Sequence, residues 1–235
     1  MKTYIWALPT RIFHWLLAIS FAIAFIISDF EELQNLHFAF GLFVGTIIFF
    51  RLIYGIIGPK YSDFRSFPVG LKSQKEFVKT FFSKTKVYSG HNPAASLVML
   101  SIFLVGLGCS ISGYLIYATE NNLLQLTLND DFLEEIHEIA ANLFLFLVGI
   151  HLLGIIFDLV FHSKTETLKS IFTGYKKVVD ENVKLNKTQK FFSIIWLIIP
   201  LLIFYYALGF KNTESANEKA GNIKTEQHEN EEDDD

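Results

Sequence analysis

His14, His37, His137 and His151 fall within or at the ends of long apolar segments, where an ionisable side chain is costly and faces a cofactor, a cavity or another polar group. His137 and His151 stand 14 residues apart. At about 100° and 1.5 Å per residue, that spacing returns to within about 40° of the same direction after a rise of roughly 21 Å, so one helix face carries an imidazole near each membrane surface. Two imidazoles meeting at one depth can supply both axial nitrogens of a haem iron, a six-coordinate centre suited to electron transfer with no open position for oxygen. Two such pairs describe two haems stacked across a bilayer. Between them on that face lie Ala141, Phe144 and Val148, a small residue that leaves room for a flat ring and an aromatic that can pack between two rings.

Holding four such residues at matched depths takes elements that cross a membrane. Of the 235 residues 51% are hydrophobic, gathered in runs too long and uniform for the core of a small soluble domain. Five runs approach the 20 or so residues that a span requires: about 10–28, 36–57, 94–117, 134–161 and 191–210. Each is expected to be a helix, because lipid offers no other partner to backbone polar groups. The expected fold is all-α, a transmembrane bundle with a four-helix dihaem core over 1–178, an inner linker and fifth transmembrane helix over 179–210, and an acidic, disordered tail over 211–235.

Orientation follows from the basic residues. The stretch 58–93 carries Lys60, Arg65, Lys72, Lys75, Lys79, Lys84 and Lys86, and the stretch 162–190 carries seven lysines from Lys164 to Lys190; 29–35 and 118–133 carry acids and neither Lys nor Arg. The first two are expected on the cytoplasmic side, which puts the N-terminus in the cytoplasm and the C-terminus in the periplasm. Depth then pairs His14 with His151 at the inner side and His37 with His137 at the outer side.

Arg11 lies three residues before His14, and Arg51 lies 14 after His37, at the inner end of the same helix face. Both are expected to approach the anionic propionates of the inner haem. Ala18 and Ala22 follow His14 at steps of four, as Gly41 and Gly45 follow His37; such spacing serves a flat ring or close helix contact equally. His91, in Gly90-His91-Asn92-Pro93, has three readings: loop or capping structure, contact to a propionate or quinone, and axial ligation. The single Cys109 excludes a disulfide framework and any multi-cysteine zinc or iron-sulfur site, and no Cys-x-x-Cys-His encodes an attached c-type haem. A basic start, an apolar run and Ala22-Ile23-Ala24 imitate a cleavable signal peptide, but the run continues through Ile27 and cleavage would discard His14. The net charge of -4 owes much to the tail, read as a solvated charge run or as a dock for a basic partner. A small metal or proton transporter and a non-redox membrane anchor are the competing classes. The first expects acidic or thiol companions at mid-membrane depth, and the second has no need of four depth-matched histidines.

Several segments resemble the bacterial cytochrome b561 and nickel-hydrogenase b-type cytochrome family. Arg11-Ile12-Phe13-His14-Trp15 resembles its R-x-x-H-W opening, and Arg51 through Gly58 resembles R-x-x-W-G-x-x-G with Tyr54 in place of Trp. Gly90-His91-Asn92-Pro93, His137-Glu138 with His151, and Leu168 to Lys176 are similar to its further motifs. The resemblance covers about residues 6–178 and implies two haem b groups on the four histidines, in a multi-pass protein of the bacterial inner membrane. It further implies electron transfer between a quinone pool and a redox partner, a periplasmic cytochrome c or a dehydrogenase or hydrogenase subunit. The chain would then act as an electron-transfer protein or quinone-linked oxidoreductase subunit. Lipid is its expected surroundings, nucleic acid is not an expected partner, and a homodimer is compatible with the pattern.

Overall fold

A computed structural model describes residues 2–80, 87–124 and 129–209. Lys84, Lys86 and the acidic tail 211–235, with His228, lie outside them. Five helices are long and apolar enough to cross a membrane: α1 (Leu8–Ile26), α2 (Gln34–Ile57), α4 (Pro93–Glu120), α5 (Asp130–Phe161) and α7 (Lys187–Ala207). Two short helices, α3 (Leu71–Thr80) and α6 (Thr167–Thr173), sit in the basic connections.

Local chemistry explains where the spans begin. Pro9 stands in the first turn of α1, where its missing N–H costs nothing. Asn92, Asn129 and Asn186 cap α4, α5 and α7 with side-chain oxygens, and Asn186 forms a reciprocal capping box with Gln189. That box starts α7 four residues ahead of the expected 191, and Asn129 starts α5 ahead of 134.

The bundle is built around α2, which packs against α1, α4 and α7, while α5 packs chiefly on α4. Phe13, Phe43, Ile47, Ile48, Phe103 and Phe144 are among the side chains that close the core. The spans otherwise turn apolar side chains outward, as Phe146 and Leu153 do on α5. In water such a surface would be a liability, but in a bilayer it meets a matching solvent. α7 is fastened to the backbone of α2: Trp196 Nε1 donates to the Ile47 carbonyl at 3.1 Å and Gln189 Nε2 to that of Ile57 at 2.9 Å.

The basic end is also tied together outside the spans. A two-residue strand, β1 (Thr3–Tyr4), pairs antiparallel with β2 (Tyr175–Lys176), a small exception to the expected all-α chain. Gly174 turns the chain from α6 into β2 with φ +86°, a conformation that a side chain would strain. Its carbonyl receives the N–H groups of Ile5 and Trp6.

Candidate functional site

The structure brings the four histidines together as two pairs along α5. His37 of α2 faces His137 of α5 with ring centres 6.1 Å apart, and His14 of α1 faces His151 of α5 at 6.3 Å. Two imidazoles bound to one metal ion have about this separation, because a metal–nitrogen bond of about 2 Å and roughly 1 Å from nitrogen to ring centre on each side sum to about 6 Å. Among the described residues no group of three or more His, Cys, Asp or Glu gathers to hold a metal ion. Each pair is a two-donor site, which suits a metal whose remaining positions a macrocycle fills.

At the acidic end, each imidazole is held by its other nitrogen. His37 Nδ1 lies 2.9 Å from the Ala24 carbonyl, and His137 Nδ1 lies 3.0 Å from the Cys109 carbonyl and 3.0 Å from Ser112 Oγ. An N–H at each Nδ1 donates to those acceptors and leaves Nε2 as the metal-binding atom. Both rings line a cavity of about 630 Å³ with Phe21, Gly41, Ala141 and Phe144, a volume on the scale of one cofactor. Gly113 allows His137 its position, since a Cβ there would stand 2.9 Å from the ring. The small residues of α2 divide in purpose. Gly41 opens onto the cavity, whereas Gly45 lets Ser110 of α4 approach, a Cβ being 2.5 Å from that side chain.

The basic end is organised by charge. Arg51 is 1% exposed, its guanidinium 5.2 to 5.8 Å from the rings of Phe13, Phe64 and Phe103, where the ring faces favour a cation. Arg11 donates to the Phe172 carbonyl of α6, and the Trp15 ring packs on Phe172 at 4.9 Å in a tilted arrangement, so the first motif also docks α6. Ala18 and Ala22 are exposed. Among the described residues, the buried Arg51 Nη1, Arg11 Nε and His14 Nδ1 find no hydrogen-bond partner. Buried donors without acceptors carry a full desolvation penalty, and a bound anionic group is the simplest way to relieve it.

Sequence reasoning missed Gly113, Ser112 and the carbonyls of Ala24 and Cys109. A glycine or serine on a helix carries no distinctive signal, and a carbonyl acceptor carries none at all.

The residues present fit a haem: paired imidazoles, a cavity of matching scale at the acidic end, and arginine nitrogens at the basic end that no described residue satisfies. A comparison with protein-family models matches residues 5–174 to prokaryotic cytochrome b561. Comparisons with curated proteins and with solved structures find no match. The matched span ends before α7. The chain belongs to the prokaryotic cytochrome b561 family and is a multi-pass b-type membrane cytochrome, binding haem b and serving electron transfer.

Proposed function

We propose that the chain is a dihaem cytochrome that carries electrons across the cytoplasmic membrane, with His37 and His137 holding one haem b and His14 and His151 the other. The observation that carries this reading is the repeated ring-centre separation, 6.1 Å and 6.3 Å, at two levels of one helix. Haem b at the two sites supplies reversible one-electron chemistry. The protein fixes the imidazoles, excludes water and surrounds both sites with apolar side chains. Arg11 and Arg51 serve the propionates of the haem at the basic end, because both carry buried nitrogens without partners.

The basic connections face the cytoplasm, so the N-terminus is cytoplasmic and the C-terminus periplasmic. The electron partners are the quinone pool on one side of the exchange and a cytochrome c or a dehydrogenase or hydrogenase subunit on the other. Residues 1–178 form the electron-transfer unit, and 179–210 add the linker and α7; that the family match ends at residue 174 supports this division.

The test is haem quantification with a reduced-minus-oxidised spectrum on the purified full chain. Two b-type haems per chain are expected. One haem would remove the stacked arrangement, and none would remove the reading altogether.

A further inference from the structure

The basic end holds more buried positive and donor groups than Arg11 and Arg51. Lys176 of β2 is 4% exposed, and its Nζ donates to the carbonyls of Tyr88 at 2.7 Å and Gly90 at 3.5 Å. The next residue, His91, is held between Trp6 and Phe67, with ring centres 4.7 and 4.9 Å away. Trp6 is fixed in turn by a 3.0 Å bond from its indole to Ser170 Oγ. His91 Nδ1 is buried and finds no hydrogen-bond partner among the described residues. Removal from water, together with the charges of Arg51 and Lys176 and then the rings of His151 and His14, holds the His91 pKa down to about 3. Lys176 Nζ reaches the carbonyl of Gly90 beside His91, and Arg51 lies over Phe64, whose ring meets Phe67 at 5.3 Å, so the three groups border one low-dielectric region.

Among the described residues, neither Arg51 nor Lys176 is within ion-pair distance of a carboxylate, and Asp158 acts on Lys176 only from further away. Taking like charges out of water without a counter-ion costs more than neutral packing of the same volume. Three segments distant in the chain nevertheless converge to do so: the end of α2, the turn before α4, and β2, which the pairing of Thr3 with Lys176 holds in place. Two buried cations without a carboxylate partner among the described residues, beside the unsatisfied Nδ1 of His91, have the chemistry of an anion site.

We propose that His91 and Lys176 join Arg51 in a carboxylate site, and that its ligand is a propionate of the haem held by His14 and His151. This rests on the dihaem reading above. It assigns a binding role to two motifs whose other residues are structural: Asn92 and Pro93 start α4, and Gly174 turns the chain into β2.

The test uses the full holoprotein reconstituted with haem carrying ¹³C-labelled propionates. Redox-difference infrared spectra and a potentiometric titration are recorded for His91→Phe, which keeps the ring stack, for Lys176→Met, and for His91→Gln, which restores an N–H donor. Haem content is measured in each. The expected result is two haems, shifted labelled carboxylate bands, and a lowered potential of the His14–His151 haem alone, reversed toward the parent in His91→Gln. Labelled bands and both potentials unchanged in His91→Phe and Lys176→Met would overturn the proposal. So would loss of copurified phospholipid with unmoved labelled bands, which would make the anion a lipid headgroup. A parent protein holding fewer than two haems would instead strike the dihaem reading.

Discussion

At the acidic end, His37 and His137 are each tethered through Nδ1 to a backbone carbonyl, beside a cavity that, among the described residues, no arginine or lysine lines. At the basic end, His14 Nδ1 finds no partner among the described residues, and Arg51, Lys176 and His91 gather at that same end. One pair is aimed by hydrogen bonds, and the other shares its end of the bundle with the buried Arg51 and Lys176. The difference teaches that two like pairs of imidazoles need not sit in like surroundings. A carbonyl acceptor fixes tautomer and ring orientation, whereas an unscreened cation favours whichever redox state has gained an electron.

The largest effect should come from removing one ligand at a time. His137→Ala should abolish the acidic-end haem and His151→Ala the basic-end haem, each leaving about half the haem by quantification, since an axial ligand is lost outright. Loss of both from either change would break the separation into two sites. Next in size, Arg51→Gln should lower the basic-end potential by on the order of 100 mV, the scale of one charge several ångströms away at an effective dielectric near 20. The acidic-end potential should hardly move in the same titration. Equal shifts would mean that the charge is not local to one pair.

A smaller effect is expected at Gly113, where a Cβ would press on His137 from 2.9 Å. Gly113→Ala should weaken acidic-end haem binding roughly tenfold, a cost of about 1–2 kcal/mol for overpacking. Gly108→Ala, whose added Cβ meets nothing within 4 Å, should leave occupancy unchanged. The smallest is Ser112→Ala, which removes one of the two oxygens near His137 Nδ1 and leaves the Cys109 carbonyl and sulfur. It should raise the acidic-end potential by on the order of 20 mV, because the Cys109 carbonyl remains to receive the N–H. A shift at the basic end instead would reverse the comparison.

The four histidines were legible because depth and a helical repeat are written in residue types. His37 and His137 needed no contact information to be matched, only the alternation of basic and acidic connections. What fixes those imidazoles was hidden, since the acceptors at Ala24 and Cys109 are main-chain oxygens that any residue would supply. The start of α7 could have been found from Asn186 and Gln189, three residues apart in the capping pattern. The pairing of Thr3–Tyr4 with Tyr175–Lys176 could not, because two-residue strands far apart in sequence leave no periodicity. The burial of Lys176 followed the same course: in a lysine-rich stretch its type argued for solvent, and only the strand that carries it turns it inward.

The way α7 is attached has an evolutionary reading. Its two polar fastenings to α2, from Trp196 and Gln189, both end on main-chain carbonyls, at Ile47 and Ile57. At these two points the bonds place no demand on side-chain identity, whereas the rings of α7 meet Phe40, Phe43, Phe50 and Tyr54 of α2 directly. Residues 47 and 57 can therefore change in a lineage without loss of these two bonds, while the aromatic seam between α2 and α7 is constrained to change in step.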